Sequence, residues 1–291
     1  MFNVEVLMDR IGVVGCGLMG SGIAEIAARA GADVVVVERD AESLAAGETR
    51  IEKSLTRAVS GGKVPEDEAN AARGNLTFTE DFERLADRQL VIEAVAEDEG
   101  TKIAVFKTLD AVVTDRDAIL ATNTSSIPII KLAVATTRPA QVIGMHFFNP
   151  VPVLRLVEVI SSLLTSAETT SRVHEYAINS LKKRVITSPD RAGFVVNALL
   201  IPYLLSAIRM LESGFASAED IDTGMVVGCA HPLGPLALTD LIGLDTTMAV
   251  AESLYAEFKE SHLAPPPLLS RMTQAGLLGR KSGQGFFAYK S

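Results

Sequence analysis

RIGVVGCGLMGSGIAEIAARAGADVVVVERD, Arg10 to Asp40, decides how the first half of this chain is read. It opens on a short apolar run, turns through Gly15-Cys16-Gly17-Leu18-Met19-Gly20, continues as an Ala-rich helical segment and returns to a second apolar run, Val34 to Val37, ending on Glu38. A bare GxGxxG recurs by chance. This one lies between strand and helix in a unit of about thirty residues, with an acid about twenty residues beyond the glycines. Each part has a mechanical use. Gly15 permits the tight turn, Gly17 lets the backbone approach a pyrophosphate, and Gly20 lets the helix pack on the strand. The helix N-terminus, at Leu18 and Met19, offers unpaired N–H groups to the phosphates. Glu38 is placed to accept hydrogen bonds from ribose hydroxyls. Its carboxylate would repel a 2′-phosphate, so NAD is expected over NADP, although Arg39 follows and can hold a phosphate. The alternative, glycines that only pack a βαβ unit, is opposed by the full fingerprint.

Downstream, Asp40 to Val59 has helical character, and Arg50, Lys53 and Arg57 recur at spacings of three and four, which puts them on one helix face. That face is either a solvated surface interleaved with Glu48 and Glu52 or a landing strip for a phosphorylated substrate. Strand patterns then recur at 75–80 (NLTFTE), 90–98 (LVIEAVAED), 118–127 (AILATNTSSI) and 141–148 (QVIGMHFF), with a helix at 100–113 between the second and third. This alternation predicts a parallel, doubly wound sheet of Rossmann type over residues 1–188. Ligands in such sheets bind at the carboxyl ends of strands, where Glu97, Asn123, Ser125 and His146 fall. Ser125 or Ser126 has an equally good alternative use as the N-cap of a helix beginning near Ile127-Pro128.

Composition narrows the classes. A chain of 291 residues with 48% hydrophobic residues can bury a large core and is expected to form two domains. No apolar run reaches the roughly 18 residues of a membrane span. The first ten residues, MFNVEVLMDR, lack a basic region followed by a long apolar one, so no secretion signal is expected. Two cysteines, Cys16 and Cys229, make a disulfide framework improbable, and a cytoplasmic enzyme is the expectation. A net charge of −9 argues against nucleic-acid affinity but leaves room for a local cationic patch. No metal site is expected.

HFFNPVPVLRLVEVI, His146 to Ile160, carries a second signal. Histidine is scarce, four in 291 residues, and Glu158 interrupts an otherwise apolar strand pattern. A lone carboxylate there is costly unless paired, and His146 is the candidate partner.

After VITSPDRAG the pattern becomes helical, with a boundary at 187–192 and an all-α domain over 189–291. FVVNALLIPYLLSAIRMLESG reads as one long apolar helix with Gly214 as C-cap; Ser217 restarts a helix with Asp220 at the capping-box position. Further helices are expected at 217–229, 238–260 and 266–276. The apolar faces exceed what a solvated surface needs, which points to a subunit contact. Asn197, inside the first long helix, is a poor place for a buried polar group without a partner.

The fingerprint, NTSS at 123–126, HFFNPVP at 146–152 with Glu158, and GFVVN at 193–197, in that order, resemble the short-chain 3-hydroxyacyl-CoA dehydrogenases, and within them the bacterial 3-hydroxybutyryl-CoA dehydrogenases. The likeness continues through HPLGPLALTDLIGLDT at 231–246 to GRKSGQGFF at 279–287. It implies His146 as catalytic acid/base with Glu158 orienting it, and Ser125 and Asn197 on the substrate's oxygen atoms. It implies Gly15, Gly17, Gly20, Glu38, Glu97, Lys102, Asn149 and Lys281 on NAD, and Ser54 with Lys53, Arg57 and Lys63 on the CoA side. It also implies an acyl-CoA substrate, a role in fatty acid metabolism and a homodimer formed through the helical domain. Family members usually carry Asp where this chain has Glu38.

The chemistry is coherent. Oxidising a secondary alcohol needs hydride loss to nicotinamide and proton loss to a base, and a histidine held by a carboxylate suits the second step. Rival readings are a structural His–Glu pair in a non-catalytic NAD-binding protein, and the same chemistry on a 3-hydroxy acid without CoA, such as gulonate. The intact His146, Glu158, Ser125 and Asn197 set opposes the first, and the cationic helix face opposes the second.

Overall fold

The computed structural model describes residues 8–289, so the N-terminal stretch 1–7 read for a secretion signal lies outside the described residues. The chain separates into two compact units, Met1–Arg191 and Ala192–Ser291. No helix among the described residues is long and apolar enough to cross a membrane.

The first unit is built on one eight-stranded sheet in the order β3-β2-β1-β4-β5-β6-β7-β8. Its strands are β1 (Arg10–Val14), β2 (Asp33–Val37), β3 (Leu76–Thr79), β4 (Leu90–Glu93), β5 (Ile119–Thr122), β6 (Val142–Phe147), β7 (Leu156–Ser161) and β8 (Arg184–Pro189). Strands β1, β2 and β4 to β7 read as near-continuous apolar runs because helices cover both faces. The helices are α1 (Leu18–Arg29), α2 (Ala41–Ser60), α3 (Glu66–Gly74), α4 (Glu99–Val112), α5 (Ile129–Ala133) and α6 (Ala167–Glu175). Helix α1 is buried over most of its length, whereas α2 buries only Gly47, Ile51 and Leu55, a one-sided stripe at i, i+4 and i+8. Asp40 caps α2 by accepting from the Ser43 N–H at 2.7 Å.

The order reverses between β1 and β4, and this switch point opens the crevice in which doubly wound sheets take ligands. One feature departs from the parallel sheet expected to residue 188: β7 runs antiparallel to β6, and β8 then pairs parallel to β7. Residues 148–155 between β6 and β7 are too few for a parallel crossover, which needs a dozen or more. The chain doubles back instead, and His146 comes to lie directly opposite Glu158 in the ladder.

The second unit is helical: α7 (Val196–Glu212), α8 (Ala218–Thr223), α9 (Pro235–Ile242), α10 (Leu244–Phe258) and α11 (Pro267–Gln274). Gly214 follows α7 with φ +71°, as a terminating glycine does. The Ser217 cap forms as its spacing predicts, accepting from the Asp220 N–H at 3.1 Å and donating to its carboxylate at 2.7 Å. The single helix expected over 238–260 is two helices, broken at Gly243 where φ is +102°. Behind the break, Asp240 is 1% exposed and accepts the Phe286 and Phe287 N–H groups, both at 2.9 Å, pinning the GQGFF segment.

Candidate active site

His146 occupies β6 and Glu158 occupies β7, and the ladder brings His146 Nδ1 to 2.6 Å from Glu158 Oε2. Glu158 is fully buried and His146 is 4% exposed. A carboxylate can only accept, so Nδ1 donates to it, and in the neutral ring Nε2 then keeps its lone pair. That lone pair faces Ser125 Oγ at 3.0 Å. The Phe148 ring meets the imidazole edge-on, with centroids 4.7 Å apart. Ser125, His146 and Glu158 therefore form one hydrogen-bonded chain that starts at a half-buried hydroxyl and ends on a buried carboxylate.

The loop bearing Ser125 is set by Glu97. Its Oε1 accepts from the Ser125 N–H at 2.9 Å, from the Ser126 N–H and Oγ at 3.1 and 2.9 Å, and from Thr124 Oγ1. Burial opposes ionisation of Glu97, but the Lys102 charge and the bonds from Thr124, Ser125 and Ser126 prevail and hold its carboxyl below the usual range. Ser125 does not cap the following helix. The first N–H groups of α5, from Ile129 and Ile130, go to the Asp190 carboxylate at 2.9 and 2.8 Å.

Lys102, in the first turn of α4, is 1% exposed, and its ammonium lies 2.6 Å from Glu93 Oε1 and 3.3 Å from Glu97 Oε2. It thereby links Glu93 to Glu97, the carboxylate that sets the Ser125 loop. Glu93 is itself fully buried and also accepts from the Val95 N–H and from Thr122 Oγ1, both at 2.7 Å. Asn123 Oδ1 accepts the Phe147 N–H at 2.9 Å and locks the end of β6 to β5. The exposed Asn149 lies in the 148–155 connection, and Lys183 holds that connection from beneath by donating to the Val151 carbonyl and, at 2.6 Å, to the Leu154 carbonyl. Burial, helped by the Arg29 charge, pulls the Lys183 ammonium down to about 8.

At the switch point lies a cavity of about 530 Å³, lined by Gly15, Gly17, Glu38, Arg39, Arg50, Phe82 and residues 94–96, among others. Gly15 adopts φ +90°, and a Cβ there would lie 2.7 Å from the Ala94 carbonyl oxygen. A Cβ on Gly20 would come within 1.8 Å of the Gly15 oxygen, whereas one on Gly17 would meet open space. The turn thus approaches β4 and α1 closely and leaves Gly17 open to a ligand. Glu38 Oε1 accepts the Cys16 N–H at 2.6 Å, and Arg50 Nη1 donates to the Cys16 carbonyl at 3.1 Å. Burial and the Glu38 charge, against the Arg50 charge, push the buried Cys16 thiol up to about 12, so it is inert. A carboxylate at the end of β2, an open glycine at a helix start and this volume fit the adenosine half of a dinucleotide.

The cationic row on α2 divides. Arg50 belongs to this cavity, while Lys53, Arg57 and Lys63 are exposed; Glu52 pairs with Arg73 at 2.8 Å. Ser54 turns toward α1, where burial raises the Glu25 carboxyl and a hydrogen bond from Ser54 and the Arg29 charge lower it in part. Asn197 and Lys281 lie in the second unit. Asn197 is half-buried in the first turn of α7, and Lys281 is held by both Asp245 oxygens at 2.6 Å. Glu93, Thr124 and Lys183 were missed from the sequence, although Glu93 gives the same signal as Glu158, a carboxylate inside an apolar strand.

Two family profiles account for almost every described residue: the NAD binding domain of 3-hydroxyacyl-CoA dehydrogenase matches residues 10–191, and the C-terminal domain of the same family matches 193–289. The chain belongs to the 3-hydroxyacyl-CoA dehydrogenase family. The dehydrogenase is 58% identical to a 3-hydroxybutyryl-CoA dehydrogenase of Mycobacterium tuberculosis over 97% of its own length and 99% of the relative's. It is similar to the crystal structure of M. tuberculosis FadB2, with TM-score 0.96 and 58% identity over 97% of this chain and 99% of that one. It is also similar to (S)-3-hydroxybutyryl-CoA dehydrogenase PaaH1 from Ralstonia eutropha, with TM-score 0.93 and 42% identity over 98% of this chain and 100% of that one. The cofactor is NAD, and the switch-point cavity has the glycine turn and acid that its adenosine half requires.

Proposed function

We propose that this dehydrogenase oxidises the C3 hydroxyl of short-chain (S)-3-hydroxyacyl-CoA, 3-hydroxybutyryl-CoA foremost, and reduces the matching 3-ketoacyl-CoA. The observation that carries the reading is the Ser125–His146–Glu158 chain, tied to Glu97, which directly follows the 94–96 segment that lines the cofactor cavity. NAD, when bound, accepts the hydride. His146 Nε2 takes the hydroxyl proton during oxidation and returns it during reduction. Ser125 Oγ holds the reacting oxygen within reach of Nε2, and Glu158 fixes the tautomer and balances the imidazolium. Gly15, Gly17, Leu18, Met19 and Gly20 present backbone to the cofactor pyrophosphate, with Glu38 on the ribose and Asn149 nearer the reacting end. The names of the M. tuberculosis and R. eutropha relatives support the chain length and configuration. The exposed Lys53, Arg57 and Lys63 supply charge for the phosphates of CoA.

The test is NADH oxidation with acetoacetyl-CoA, free acetoacetate and longer 3-ketoacyl-CoAs. The highest kcat/KM is expected with acetoacetyl-CoA. Comparable turnover of free acetoacetate would move the function to a hydroxy acid without CoA. We also infer a homodimer formed through the second unit, because Leu199, Phe215 and Val227 stand 75–80% exposed there. A monomer mass by sedimentation would remove that inference.

A further inference from the structure

We propose that Arg50 binds the pyrophosphate of the cofactor and takes no part in holding acyl-CoA. The inference rests on NAD occupying the switch-point cavity. That cavity is lined by three carboxylates, Glu38, Asp40 and Glu42, against two cations, Arg39 and Arg50. Arg39 is engaged by Asp40 at 3.0 Å. Arg50 has no carboxylate within 4.0 Å among the described residues, and its one protein hydrogen bond is Nη1 to the Cys16 carbonyl. A dinucleotide brings two more negative charges beside the glycine turn, into a site already acidic. Arg50 is the lining cation left to oppose them.

Its position is built in. Gly47, one helical turn earlier, packs so closely that a Cβ would lie 2.5 Å from Cys16 Sγ. Helix α2 therefore rests on the glycine turn, and the bond to the Cys16 carbonyl holds the guanidinium there with its other N–H groups available. A guanidinium presents several donors in one plane, the geometry that phosphate oxygens accept. Arg57, two turns on, lies about 10 Å further along the helix axis and belongs to different surroundings.

Binding reports on this directly. NADH is followed by its own fluorescence, and ADP-ribose and adenosine by calorimetry, on the parent protein and on Arg50→Gln and Arg50→Lys. Arg50 is exposed and outside the core, so both variants should fold. Arg50→Gln should weaken NADH and ADP-ribose by about three- to tenfold, leave adenosine within about twofold, and lose most of that difference at high salt. Arg50→Lys should fall between, and KM for acetoacetyl-CoA should not move. Equal losses on adenosine would make Arg50 a mere prop for the turn, and no loss on any ligand, or a loss confined to NADPH, would equally overturn the assignment. If the parent itself binds neither NADH nor ADP-ribose, the cofactor reading fails first and this inference with it.

Discussion

Replacing Glu158 by Gln changes charge with almost no change of shape. The buried amide can still accept the Nδ1–H of His146 through its oxygen, so the tautomer and the cross-strand contact survive. The negative charge opposite the imidazolium does not. With ring and carboxylate charges centred about 4 Å apart, an effective dielectric near 20 makes their attraction about 4 kcal/mol. Oxidation develops the imidazolium in its transition state, so that loss corresponds to about 10³ in kcat. Oxidation of 3-hydroxybutyryl-CoA should fall by 10²–10⁴, the range that a positioned acid/base contributes. His146→Gln should fall equally, and in both variants the Kd for NADH should stay within about twofold, because neither residue lines the adenosine cavity. Turnover within about threefold of the parent in a variant that melts normally would refute the reasoning.

Glu38→Ser should raise the NADPH to NADH ratio of kcat/KM by about tenfold, because the carboxylate that repels a 2′-phosphate is removed while Arg39 remains beside it; equal use of both cofactors by the parent would sink the premise. Lys53→Glu with Arg57→Glu should raise KM for acetoacetyl-CoA by about three- to tenfold and spare an N-acetylcysteamine thioester, which lacks the phosphates. Equal losses on the two substrates would indicate damaged folding, and no loss would return the pair to a plain solvated face. Glu97 has a folded carboxyl held below its free value of 4.5, so its stabilisation is complete above pH 4.5 and is lost as pH falls through the lower, folded value. Glu97→Gln should therefore lower stability toward urea at pH 7 and approach the parent in acid, and a gap independent of pH would contradict the Glu97–Ser125 tie.

Interactions that close within a few residues of chain were legible in the sequence. The glycine turn, the acid at the end of β2, the cap at Ser217 and the helical second half follow from local backbone geometry and hydrophobic period. The His146–Glu158 pair was legible for a different reason: a carboxylate in an apolar strand demands a partner, and histidine is scarce. Direction was harder. Periodicity reports which residues are buried and says nothing about which way a strand runs, so the antiparallel β7 had to be read from the length of the 148–155 connection or from the fold itself. Tertiary structure alone decided what each charged helix face meets. Helical spacing puts Arg50, Lys53 and Arg57 in one row, but the close packing at Gly47 decides that Arg50 reaches the glycine turn. Likewise only the packed sheet brings the Lys102 ammonium between Glu97 and the buried Glu93. A residue's type and spacing are properties of the chain, whereas its electrostatic partner is set by side chains that approach from distant segments, and those meet only when the sheet and its helices have packed.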